Sequence, residues 1–148
     1  MPSYELRVTV HKLNDEPTAR TVHPEDSAQY LLKNCYDPAE MWREKAFALF
    51  LDKANNVIGH LLLSVGGTDS TTLDVKLVAK GAVDVLASKV ILSHNHPSGN
   101  PLPGETDIRM TNKIREALAI LDVELLDHVI ICDGKGYSFN TQSVFIIK

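Results

Sequence analysis

The sequence predicts an α/β fold: a mixed β-sheet flanked by helices, in one domain. Strand-like and helix-like segments are interleaved along the chain rather than grouped in blocks. A short segment, Val90-Ile91-Leu92, is apolar at every position and reads as a buried strand. The 148 residues, 44% hydrophobic and 23% charged, match one soluble domain that can bury a core without disulfides.

The elements follow in order. Leu6, Val8 and Val10 alternate with Arg7, Thr9 and His11, as in a half-buried strand. The polar stretch 12–20 is a loop. Pro24-Glu25-Asp26 opens a helix, because proline suits the first turn and acids favour the positive helix end; Ala28, Leu31 and Leu32 follow on one face. Asp37-Pro38-Ala39-Glu40 reads as a second, brief helical start. Residues 46–51 and 57–65 form a hairpin across the turn Asp52 to Asn56. Leu77, Val78, Ala82, Val83, Val85 and Leu86 suggest a buried helix. After Val90-Ile91-Leu92, the Pro- and Gly-rich stretch Ser98 to Gly104 must be loop. Glu105 to Asp122 is the longest helix, with Ile108, Thr111, Ile114, Leu118 and Leu121 as its inner stripe. A strand over 123–132, a turn at Gly134-Lys135-Gly136 and a last strand over 137–139 complete the chain. Residues 1–148 make one domain, with 1–37 packing on a core formed by 38–148.

Composition excludes several functional classes. Fifteen Lys and Arg against nineteen Asp and Glu give a net charge of −4. A protein that grips a phosphate backbone usually carries a basic excess, so the balance argues against direct nucleic-acid binding. Arg109, Lys113 and Arg115 fall near one another on the long helix, but Glu116 follows, which reads as a solvated face. The two cysteines, Cys35 and Cys132, stand outside any C-x-x-C pattern and are expected as free, partly buried thiols of a reducing compartment. The N-terminus lacks a signal-peptide pattern, and no apolar run has membrane-spanning length. A soluble, cytoplasmic protein is expected, with no membrane partner; the oligomeric state is left open.

The informative segment is His94-Asn95-His96-Pro97-Ser98-Gly99, followed by Asp107. On an extended chain, residues i and i+2 point the same way. Asp107 falls in the first turn of the long helix, and the intervening loop can return it to the two imidazoles. Two imidazoles and one carboxylate suit Zn²⁺ and leave a fourth position for water, whose pKa on the metal falls to ~7. A hydrogen-bonded surface turn is the competing reading of the same spacing. The letters His-Asn-His are not the ββα-metal nuclease unit, whose residues are dispersed.

These residues, with Pro101, Pro103, Phe50-Leu51-Asp52, Asn56-Val57-Ile58-Gly59, Ser64-Val65-Gly66 and Leu126-Asp127-His128, resemble the RadC-type proteins of the JAMM/MPN metalloprotease superfamily. The resemblance covers almost the whole chain and implies a JAMM/MPN-like domain. It implies His94, His96 and Asp107 as Zn²⁺ ligands and Glu44 as the general base on the zinc-bound water. The activity implied is hydrolysis of a peptide or isopeptide bond in a peptide or protein substrate. Two positions depart from the family pattern. Gly104 stands where a Ser or Thr normally helps stabilise the oxyanion, and Asp74-Val75-Lys76 replaces a usual His-Pro-Arg. Gly104 leaves a non-catalytic zinc-binding scaffold as the alternative, and the RadC name adds a DNA repair or recombination accessory. His128 is expected as a hydrogen-bonded core residue, Trp42 and Phe47 as core anchors, and His11, His23 and His60 without a role.

Overall fold

Alternation along the strands sorts the core into two layers. The computed structural model describes residues 1–5, 7, 9, 19–66 and 73–148. The expected strand over Leu6, Val8 and Val10 lies outside the described residues, as does most of the loop that follows it.

The elements are α1 (Pro24–Asn34), a 3-10 turn (Pro38–Glu40), β1 (Lys45–Leu51), β2 (Val57–Val65), α2 (Val75–Asp84), β3 (Lys89–Asn95), α3 (Glu105–Ile120), β4 (Glu124–Cys132), β5 (Lys135–Ser138) and β6 (Ser143–Ile146). The six strands form one mixed sheet in the order β2-β1-β3-β4-β5-β6. Among the described residues only β3 and β4 pair in parallel, and α3 is the crossover between them.

Ala46, Ala48 and Phe50 of β1, with Val90 and Leu92 of β3, face α2 and α3 through Val78, Ala82, Ile114 and Leu118. Phe47, Leu49 and Leu51, with Ile91, Val129 and Ile131, face α1 through Ala28 and Leu31. Sheets covered on both faces are why β1 and β3 read as continuous apolar runs. Gly81 lets α2 lie directly on Phe50, since a Cβ there would stand 2.4 Å from the ring.

The helix starts follow the sequence. The Asp26 carboxylate accepts from the backbone N–H of His23 at 2.8 Å and opens α1. The free, partly or fully buried thiols are as expected, with burial pushing the Cys35 thiol up to about 12.

Several details differ from expectation. The helix α2 is amphipathic rather than buried: Val78 and Ala82 are fully buried and Val75 is partly covered, whereas Leu77, Val83 and, just past the helix, Leu86 are exposed. On α3, Thr111, Ile114 and Leu118 are buried, whereas Ile108 lies off that face and Leu121 caps the exposed end. The second turn falls at Asp133-Gly134, both at positive φ, so β5 starts at Lys135. The edge strand β6 has an almost fully exposed pattern and leaves no periodic signal. Trp42 is not a core anchor: it is 62% exposed, whereas Phe47 is buried. It precedes β1 in a turn where Met41 takes the inward position, and the Arg43 guanidinium lies over its ring at 5.3 Å. No helix among the described residues is long and apolar enough to cross a membrane.

Candidate metal centre

The end of β3 sends successive side chains to opposite faces. His94 continues the α3-facing row of Val90 and Leu92 and is 2% exposed. His96 lies just beyond the strand, and its Nε2 stands 2.8 Å from the Nε2 of His94. Asp107 is the third residue of α3, after the N-cap Gly104, whose backbone N–H donates to Asp107 Oδ2 at 2.8 Å. That anchor holds the carboxylate 3.4 Å from His94 Nε2 through Oδ1 and 3.5 Å from His96 Nε2 through Oδ2. Glu44 precedes β1 on the row that continues to Ala46, is 6% exposed, and approaches His94 Nε2 to 3.8 Å. The ligand atoms of Glu44, His94 and His96 all lie within 4.8 Å of one another. The structure therefore brings together all four residues singled out in the sequence.

The imidazole tautomers follow from a hydrogen-bond chain with one consistent direction. The Thr111 hydroxyl donates to the backbone carbonyl of Asp107 at 2.6 Å. It must then accept from His128 Nδ1, 2.6 Å away, which leaves His128 Nε2 with a lone pair. That lone pair accepts the Nδ1 proton of His94 at 2.7 Å. His96 donates its own Nδ1 proton to the carbonyl of Asn100 at 2.8 Å. In the neutral state both Nε2 lone pairs thus face each other across 2.8 Å, one of them fully enclosed. Two buried acceptors in contact are repulsive unless a cation lies between them. Two imidazole nitrogens with a carboxylate on either side are a donor set that fits Zn²⁺.

Protonation of the imidazoles, which turns Nε2 into a donor toward the carboxylates, also relieves this contact. Burial works to raise the Asp107 carboxyl, but His94, His96 and the Gly104 N–H prevail and hold it well below the usual carboxylate range. Burial raises Glu44, partly opposed by the two imidazoles. Burial also drives His128 well below its ordinary value, so it stays neutral. His128 is wholly buried and stacks on Phe139 at 4.6 Å, as expected of a core histidine. It nevertheless sets the tautomer of His94, and neither it nor Thr111 was expected to support the site. The available signal was the i, i+4 spacing of Asp107 and Thr111 on α3.

Replacing His128 by Phe keeps the ring volume and removes the acceptor for His94. Affinity for a divalent metal is expected to fall by roughly 10–100-fold, read by competition with a chromophoric chelator. Unchanged affinity would mean that the His94 tautomer does not depend on His128.

A groove of about 580 Å³ opens beside His96, lined by Leu32, Pro38, Met41, Pro97 and Ile131. Of the four residues His96 alone lines it, and Ser98 and Asp133 add polar groups to the wall.

The model for the RadC-like JAB domain matches residues 21–144. A UPF0758 protein of Flavobacterium johnsoniae is 44% identical over 106 residues, 72% of this chain and 46% of that protein. A UPF0758 protein of Carboxydothermus hydrogenoformans is 30% identical over 145 residues, 98% of this chain and 63% of that protein. One of Shouchella clausii is 37% identical over 122 residues, 82% of this chain and 52% of that protein. The chain thus spans about half the length of the curated relatives it matches.

Proposed function

The chain belongs to the RadC-like JAB domain family, and on that premise we propose that it is a zinc-dependent hydrolase of a peptide or isopeptide bond. The observation that carries this reading is the facing pair of Nε2 lone pairs on His94 and His96, flanked by the carboxylates of Asp107 and Glu44. His94, His96 and Asp107 would hold the metal. When bound, zinc supplies a Lewis acid for the scissile carbonyl and lowers the pKa of water to ~7.

The residues of the chain do the rest. Asp107 is the tighter neighbour of both imidazoles and is fixed by Gly104, which suits a ligand. Glu44 lies farther out, at 3.8 Å from His94 Nε2, and burial keeps its carboxyl nearer neutral pH. It takes one proton from the attacking water as the new C–O bond forms. It returns that proton to the amine nitrogen as the C–N bond breaks.

Gly104 favours a second reading, a zinc-binding scaffold without turnover. Its position carries no hydroxyl to donate to an oxyanion. Gly104 has φ of −83°, and a Cβ there would meet only Asp107 Oδ2 at 3.6 Å, so Ser fits without strain. Zinc-loaded wild type and Gly104→Ser are to be assayed on a panel of peptides and isopeptides, with and without chelator. Chelator-sensitive cleavage is expected, with a gain of roughly 10²–10³-fold in the variant. No cleavage by either protein would reject the hydrolase and leave the scaffold.

A further inference from the structure

The residue between the two histidines points away from the centre. Asn95 follows the strand alternation to the opposite side of the sheet and is 1% exposed. Its amide nitrogen donates to the carbonyl of Arg43 at 3.0 Å and to that of Met41 at 3.3 Å. Its oxygen accepts from the backbone N–H of Lys45 at 2.8 Å. The assignment of N and O is forced: only the oxygen can meet an N–H, and only the NH₂ group can meet two carbonyls. One buried side chain therefore grips the backbone immediately before and immediately after Glu44. The carbonyl of Glu44 itself accepts from Gly66 N–H at 2.8 Å, which closes the segment from the other side.

We propose that Asn95 is a positioning residue that holds Glu44 over the His94–His96 pair. The inference rests on the reading of Glu44 as the general base. The segment from Met41 to Glu44 is turn and coil, with no ladder of its own to fix it. A carboxylate that must move protons needs placement to within a fraction of an ångström. Because Asn95 is flanked by the two imidazoles, the same strand end sets the histidines on one face and the glutamate's backbone from the other. Any shift of β3 then moves base and ligands together. No other side chain of this size supplies two donors and one acceptor in the same plane. Aspartate keeps the acceptor but would turn a carboxylate oxygen on two carbonyl oxygens.

Asn95→Ala and Asn95→Asp, each zinc-loaded, separate this role from simple structural support. In Asn95→Ala the Lys45 amide loses its acceptor and is expected to exchange with solvent at least about tenfold faster, while the amides of Ala48 and Leu49 stay protected. Asn95→Asp keeps that acceptor, so Lys45 exchange is expected to remain slow. Both variants are expected to retain one zinc per chain, because the ligand set is untouched. Both are expected to lose roughly 10²-fold in kcat with KM little changed. Placed on Glu44→Gln, neither is expected to reduce turnover further, since there is no base left to position. Loss that adds in full to the Glu44→Gln loss, loss of zinc in Asn95→Asp, or unchanged Lys45 exchange together with unchanged kcat would each overturn the proposal. The exchange and zinc measurements use no substrate, so a failure of the clamp is distinct from a failure of the hydrolase reading. If Asn95→Ala does not fold, the Asn95→Asp measurements decide.

Discussion

Glu44→Gln leaves one zinc per chain and lowers hydrolysis by roughly 10²–10⁴-fold. Gln matches Glu in size and keeps the hydrogen-bonding outline, so the 6% exposed site accepts it without repacking. Only the ability to carry a proton disappears. The metal is expected to stay because Asp107 already stands between the two imidazoles, at 3.4 and 3.5 Å. Burial raises the Glu44 carboxyl above its ordinary value, which brings it closer to the pH at which a group can both accept and return a proton. Metal analysis alongside an activity assay checks the result. Retained hydrolysis would reject Glu44 as the base, and lost zinc would make it a ligand in place of Asp107.

The second large effect is on metal binding itself. Protein prepared without a His tag is expected to carry about one zinc per chain, and His96→Ala to carry none. His96 lies past the end of β3 with its side chain 17% exposed, so its removal is expected to leave the metal-free fold intact. Zinc at a hundredfold excess over its dissociation constant stabilises the wild type by about 2.7 kcal/mol. For a domain of this size that is a rise of roughly 5–10 °C in Tm. The variant is expected to show no rise. A zinc-dependent rise of equal size in both proteins would place the metal elsewhere.

The parts of this molecule that could be read from sequence are those whose cause is local. His94 and His96 are related by the two-residue repeat of an extended chain. Asp107 is the third residue of a helix that starts where the Pro- and Gly-rich loop ends. The hairpin of β1 and β2 and the long helix α3 show their own periodicities. Glu44 carries no such signal; an isolated Glu before a strand is usually a solvated charge, and only the family resemblance singled it out. His128 and Asn95 were not read as parts of the site because their partners are distant in the chain, and Thr111 was read only as part of the inner stripe of α3. Asn95 binds carbonyls of residues 41 and 43, and His128 binds His94. Trp42 shows the opposite failure. Hydrophobicity alone assigned it to the core, but the turn before β1 gives the inward position to Met41. The strand β6 escaped notice because four mostly exposed residues have no face to alternate.

The parallel pairing of β3 with β4 has a consequence for the order of synthesis. A parallel pair needs a crossover, and here α3 is that crossover. A nascent chain that has emerged only as far as residue 104 already contains Glu44, His94 and His96. It lacks Asp107 and Thr111, which travel on the crossover, and His128, which arrives with β4. His94 then lacks His128, which sets its tautomer, and neither imidazole has Asp107 beside it. A metal held by His94, His96 and Asp107 would therefore be captured only once the crossover and β4 have joined the sheet. Bound metal would then report that β3 and β4 have paired.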